Sequence, residues 1–211
     1  ARNAAGLVTV AVAPSRVAVT QLGDGWTTAT TAHGLLVGAG WSQDGGLWTA
    51  PVGGGDAGDA GLRDAVIVVD EAGMLDLHTL AALTTHARTN GARVILVGDD
   101  RQLAPVGVAG GFALAKAGSD VVALTEAKRF TDPAHAALAN RWRTGTDLDA
   151  IAGDVLAAGL VRVHATAEDA QVALAETAAA NRNAVVMVAD NATAVTVNRL
   201  TRAEHQHAGH V

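Results

Sequence analysis

The sequence predicts an α/β protein built on a parallel sheet, and three observations carry that prediction. Short runs rich in Val, Ile and Leu are apolar at nearly every position, as strands buried on both faces require: Leu7 to Ala13 (L-V-T-V-A-V-A), Ala65 to Val69 (A-V-I-V-V) and Arg93 to Val97 (R-V-I-L-V). Segments with apolar residues at helical spacing alternate with them, which implies helices covering both faces of the sheet. The runs end in Pro14, in Asp70-Glu71 and in Gly98-Asp99-Asp100, and open parallel sheets bind ligands beyond the carboxyl ends of their strands.

Taken in order, Pro14 closes the first run and leads into a loop and helix. Ser42 to Gly61, rich in Gly and Asp, reads as a surface loop or hairpin, with Trp41 and Trp48 as anchors. Leu75 to Arg88 places Leu75, Leu77, Leu80 and Leu83 at helical spacing before the stop signal Asn90-Gly91. Val121 to Leu124 reads as a fourth strand, followed by helices from about Asp132 to Arg143, Leu148 to Ala158 and Ala167 to Ala180. Ala184 to Ala189 (A-V-V-M-V-A) is a fresh strand signal before a helix from about Thr193 to His205. The expected organisation is a first α/β domain over residues 1–150, a helical link over 151–183 and the start of a second α/β domain over 184–211.

A chain of 211 residues with 49% hydrophobic content can bury a sizeable core, and with 3% aromatic residues that core is built of small aliphatic side chains. The absence of Cys removes disulfides, thiolate metal sites and thiol nucleophiles. No apolar run approaches the roughly 20 residues that cross a bilayer, so a cytoplasmic protein with no membrane partner is expected. The formal net charge of −6 argues against a general polyanion-binding surface and leaves room for a local groove. The pairs Arg141 and Arg143, and Arg199 and Arg202, read first as solvated helix faces.

Chemistry is concentrated at two strand ends. An Asp-Glu pair such as Asp70-Glu71 can direct one carboxylate at Mg²⁺ through water and the other at the water that attacks a γ-phosphate, and it reads equally well as a loop pair capping the next helix. Gln102, at the end of the next run, carries an amide that can donate to a phosphate oxygen and accept from a water. His205, His207 and His210 do not fall on one helical face, which disfavours a metal site.

The order D-E-A-G-M, then G-D-D-R-Q-L-A-P-V-G-V-A-G-G-F, then L-T-E-A-K-R-F resembles superfamily 1 DNA helicases of the RecD-like type, most of all the helicase portion of conjugative relaxases. The resemblance runs nearly the whole chain. It implies a RecA-like P-loop NTPase fold with the start of a second such domain, and use of ATP and Mg²⁺. It makes Asp70-Glu71 the Walker B motif, with Asp70 on the metal and Glu71 as catalytic base. Gln102 becomes the γ-phosphate sensor and Arg129 the arginine that reaches the γ-phosphate. Arg129 also reads as a surface partner of Glu126. Ala13-Pro14-Ser15 and Thr31-Ala32-His33-Gly34-Leu35-Leu36 resemble two segments associated with single-stranded DNA, which implicates Pro14, Ser15, Thr31 and His33. Taken alone, Ser15 reads as a helix cap and His33 as an ordinary helix residue.

A P-loop motor also needs G-x-x-x-x-G-K-[ST], whose amides and lysine grip the phosphates. These 211 residues contain no such loop, and the contexts of Lys116 and Lys128 fit neither lysine to it. The expectation is an internal piece of a longer helicase, inactive alone. The alternatives are an ATPase-inactive DNA-binding or assembly module, and a P-loop NTPase of metabolism or signalling.

Overall fold

The computed structural model describes residues 6–52, 62–124, 130–145, 147–181 and 183–207. The chain divides into two compact units, Ala1–Thr125 and Glu126–Val211.

In the first unit the strands are β1 (Thr9–Ala13), β2 (Thr28–Thr31), β3 (Ser42–Asp44), β4 (Leu47–Thr49), β5 (Val66–Val69) and β6 (Arg93–Leu96). Its helices are α1 (Arg16–Gln21), α2 (Ala32–Gly38), α3 (Leu77–Thr89) and α4 (Gly111–Ala117). The main sheet is wholly parallel in the order β2-β1-β5-β6, so the expected α/β fold is present, consistent with a RecA-like P-loop architecture. The three apolar runs became β1, β5 and β6. Strand β2 carries no strand signal in the sequence: its T-A-T-T lacks an apolar run because it is an edge strand, exposed at Thr28 and Ala29.

One face of the sheet holds the core. Val10 and Val12 of β1, Ile67 and Val69 of β5, and Leu80, Leu83 and Ala87 of α3 are buried together, with Val94, Leu96 and Phe112 packed against them. On the other face Ala11 and Ala13 are buried, whereas Ile95 and Val97 are 49% and 44% exposed. The expected cover on both faces is therefore incomplete over β6.

Strands β3 and β4 form an antiparallel hairpin, one of the two forms expected for this stretch. Its turn residues Gly45 and Gly46 have φ of 53° and 84°, the left-handed pair that a two-residue hairpin turn requires. The rest of the Gly-rich stretch, residues 53–61, lies outside the described residues.

Two strand expectations are corrected. Val121–Leu124 has the composition of a strand but pairs with no described strand, and Val122 and Leu124 are each 90% exposed. Likewise residues 184–188 form no strand, with Val185 and Met187 at 87% and 86% exposure. A β-branched run becomes a strand only where a neighbour supplies partners for its backbone N–H and C=O groups. The helices of the second unit follow expectation closely: α5 (Pro133–Thr144), α6 (Leu148–Ala157), α7 (Ala167–Ala180) and α8 (Asn191–His207). Asp132, Asp147 and Thr166 cap the first three of these through side-chain oxygens. Helices α7 and α8 pack on each other. Among the described residues no helix is long and apolar enough to cross a membrane.

Candidate functional site

Because the four strands run parallel, their carboxyl ends form one rim. Register orders that rim: Ala13 lies opposite Thr31, Val12 opposite Val69, and Val69 opposite Leu96. At about 4.8 Å per strand, the end of β1 is one spacing from that of β5, and the whole rim spans roughly 14 Å.

Asp70 is the first residue beyond β5. Its backbone N–H donates to the Val12 carbonyl at 2.8 Å, and its Oδ1 accepts the Glu71 N–H at 3.0 Å. Glu71 adopts a left-handed backbone, φ 49° and ψ 40°, and turns the chain from β5 into the 3₁₀ turn Ala72–Met74. Such a conformation costs a non-glycine residue about 1–3 kcal/mol and clusters at functional sites. The cap of α3 is supplied by Asp76, not by Asp70 or Glu71.

The next loop is pressed against this turn. The Ala72 N–H donates to the Val97 carbonyl at 2.9 Å. A Cβ at Gly98 would lie 3.1 Å from the Gly73 nitrogen, and one at Gly73 would lie 3.0 Å from the Asp99 carbonyl oxygen. A side chain at either position would push the two backbones apart by a few tenths of an ångström. Within the second loop Asp99 Oδ1 accepts the Arg101 N–H at 3.0 Å, and the Gln102 N–H reaches the Asp99 carbonyl at 3.4 Å. Gln102 is exposed and lines a shallow hollow with Gly73, Leu75, Asp99, Asp100 and Phe112. The structure thus brings the two loops into contact, while Asp70 and Glu71 do not line that hollow.

Lys116 of α4 donates to Asp100 Oδ2 at 2.7 Å. That hydrogen bond is the main cause holding the Asp100 carboxyl below its ordinary range. A depressed carboxylate keeps its contact at neutral pH and loses it as pH falls through the lowered value. Both partners are substantially exposed, 45% and 37%. Asp100→Asn should therefore leave the thermal unfolding midpoint at neutral pH almost unchanged, and a large drop would mean that the pair holds the loop in place.

At the β1 and β2 end of the rim, Ser15 follows Pro14 and caps α1, its Oγ accepting the Ala18 N–H at 3.2 Å. Thr31 ends β2 and caps α2, its Oγ1 accepting the Gly34 N–H at 2.9 Å. Pro14–Ser15 and Thr31 are neighbours through the β1–β2 register. His33, in the first turn of α2, is exposed and meets the Trp48 ring edge-on, with centroids 5.0 Å apart. Arg129, with Glu126 and Lys128, lies outside the described residues.

What sequence reasoning missed is the set of groups joining these parts. The sequence assigns no partner to the anchors Trp41 and Trp48; the Trp48 indole N–H donates to Thr79 Oγ1 at 3.0 Å, and Trp41 meets His86 edge-on at 6.3 Å. The role of the Gly73–Gly98 contact could not be read from either motif alone.

Among the described residues no group of three or more His, Asp or Glu could hold a metal ion. No curated protein matches the chain. A family model described as an AAA domain matches residues 1–166. Most of the chain is covered by that match, on a parallel α/β sheet of the matching architecture, so the chain belongs to a helicase-like AAA-domain family of P-loop ATPases, proteins that use nucleotide and Mg²⁺.

Proposed function

We propose that the chain is part of an ATP-dependent DNA helicase or translocase that acts on single-stranded DNA in the cytoplasm, in the class that serves conjugative transfer, with 5′-to-3′ movement taken from the resemblance. The observation that carries this reading is the order of the rim: candidate nucleotide residues end β5 and β6, and candidate strand-contacting residues end β1 and β2. A motor needs such adjacency, because the change at the phosphates has to reach the nucleic acid. In this reading residues 1–150 form the first motor domain, 151–183 a helical link and 184–211 the start of a second domain.

The donor set fits a nucleotide-bound Mg²⁺: that ion takes one or two carboxylates and otherwise water and phosphate oxygens, and Asp70, the first residue beyond β5, would supply one carboxylate. When bound, the ion neutralises phosphate charge. Glu71 is proposed to accept the proton of the attacking water, Gln102 to hydrogen-bond the γ-phosphate, and Arg129 to balance charge developing there. With Asp100 paired to Lys116 and Arg101 beside it, Asp70, Glu71 and Asp99 leave these loops net acidic, which suits cations brought in with the nucleotide. The strand-contacting candidates at the ends of β1 and β2 also suit a second reading, an ATPase-inactive module that binds single-stranded DNA.

Two measurements separate these readings. The first is ATP hydrolysis by a polypeptide carrying this chain together with a phosphate loop: stimulation by single-stranded DNA is expected, hydrolysis indifferent to DNA would indicate another class of P-loop NTPase, and no hydrolysis would favour the module. The second is binding of this chain to an oligo-dT strand, expected to weaken as salt rises. Ser15→Asp keeps the cap, since Asp caps as well as Ser, and adds charge against a phosphate. It should weaken oligo-dT binding without lowering stability; unchanged affinity would remove Ser15 from the contact.

A further inference from the structure

Resting on the reading above that His33 contacts single-stranded DNA, we infer that Trp48 is a positioning residue for that contact, fixed by a relay that begins at Asp76, beside the loop carrying Gln102. The relay has a defined direction. The single Thr79 hydroxyl proton goes to Asp76 Oδ2 at 2.6 Å, so the oxygen's lone pairs accept the Trp48 indole N–H at 3.0 Å. An indole donates only, and a carboxylate accepts only, so the order Trp48 to Thr79 to Asp76 cannot reverse. Each bond polarises the next and the terminal charge strengthens both. Asp76 is itself fixed, because its Oδ1 accepts the N–H groups of His78 and Thr79, each at 3.0 Å.

Both ends of the relay meet the proposed machinery. At one end the Asp76 Cβ lies 3.3 Å from where a Cβ on Gly107 would stand, and Gly107, with φ of 121°, lies in the loop that runs from Gly98 to α4. The Leu77 N–H donates to the Val108 carbonyl at 2.8 Å and holds the same junction. At the other end Trp48 presents its ring to His33. Thr79 is 6% exposed, so it is well placed to hold the indole still. His33 is exposed, and among the described residues its ring contact is with the Trp48 indole. The β3–β4 hairpin accordingly acts as a brace: it carries a ring from the start of α3 to the start of α2.

A double-mutant cycle in this chain tests the inference, read as affinity for an oligo-dT strand with circular dichroism to confirm folding. Trp48→Phe keeps a ring and removes the N–H; it should weaken binding about threefold to tenfold, the range of an oriented aromatic contact. Thr79→Val should act likewise without touching the hairpin, and Thr79→Ser, which restores the hydroxyl, should bind as the unaltered chain does. In a His33→Ala background Trp48→Phe and Thr79→Val should have no further effect, since the relay acts through His33. Equal losses in both backgrounds, or Thr79→Ser weakening binding as much as Thr79→Val, would overturn the positioning role and leave the DNA reading standing. Failure of the unaltered chain to bind oligo-dT, or full affinity in His33→Ala, would overturn both.

Discussion

Replacing Glu71 by Gln is expected to lower ATP hydrolysis by roughly 10²–10⁴-fold, the usual contribution of a positioned general base, in a polypeptide that carries this chain and a phosphate loop. The substitution is close to a pure removal of basicity. Glutamine has the same length and volume and can still hydrogen-bond a water, but its amide oxygen does not take up a proton at neutral pH. The backbone is equally indifferent, because both residues are non-glycine and would occupy the same left-handed conformation, φ 49° and ψ 40°. Nucleotide affinity should therefore persist while turnover disappears, so that ATP is bound and not consumed. Asp70→Asn should differ by weakening Mg²⁺-dependent nucleotide binding. Turnover by Glu71→Gln within about tenfold of the unaltered protein would assign the base elsewhere.

Gly98→Val is expected to destabilise the first unit by about 1–3 kcal/mol, the range for side chains forced into filled space, and to separate the two loops of the candidate site. A Cβ at Gly98 would stand 3.1 Å from the Gly73 nitrogen, 3.2 Å from the Ala72 nitrogen and 3.3 Å from the Phe112 ring. The first two neighbours are backbone, held by the Ala72 N–H bond to the Val97 carbonyl at 2.9 Å, so they cannot swing aside as a long side chain would. The two further carbons of valine deepen the clash. Relief requires the 3₁₀ turn after Glu71 to move away from Asp99, and that displaces Gln102 relative to Asp70 and Glu71. Urea unfolding measures the stability cost. Gly38→Ala is the contrast, since among the described residues nothing lies within 4 Å of where its Cβ would stand and a helical alanine is more stable than glycine. A urea midpoint for Gly98→Val equal to that of the unaltered chain would show that the loops are not held together at this contact.

Strands β1, β5 and β6 could be read in advance because apolar side chains along their length are a local property. Strand β2 could not. Its T-A-T-T sequence carries no apolar pattern, and it is a strand because its backbone bonds to β1 from Val10↔Thr28 to Ala13↔Thr31. Val121–Leu124 and residues 184–188 are the converse: their composition matches β5, yet no described neighbour offers them a ladder. Pairing depends on distant chain, which a local run of residues does not encode.

The candidate site divides along the same line. Asp70-Glu71 and Gln102 are flagged by short motifs, since each sits in a turn whose chemistry is local. The contact of Gly73 with Gly98 and Asp99, and the bond from Trp48 to Thr79, join segments about 25 and 31 residues apart in sequence. The amino-acid sequence by itself determined the fold class, the ends of the central strands and the side chains offered there, because burial pattern and turn chemistry are written in adjacent residues. Only the tertiary structure decided which ends stand side by side, how closely Gly73 and Gly98 bring the two loops together, and that a hairpin tryptophan reaches from α3 to His33, because those outcomes follow from strand order and close packing between residues far apart in the chain.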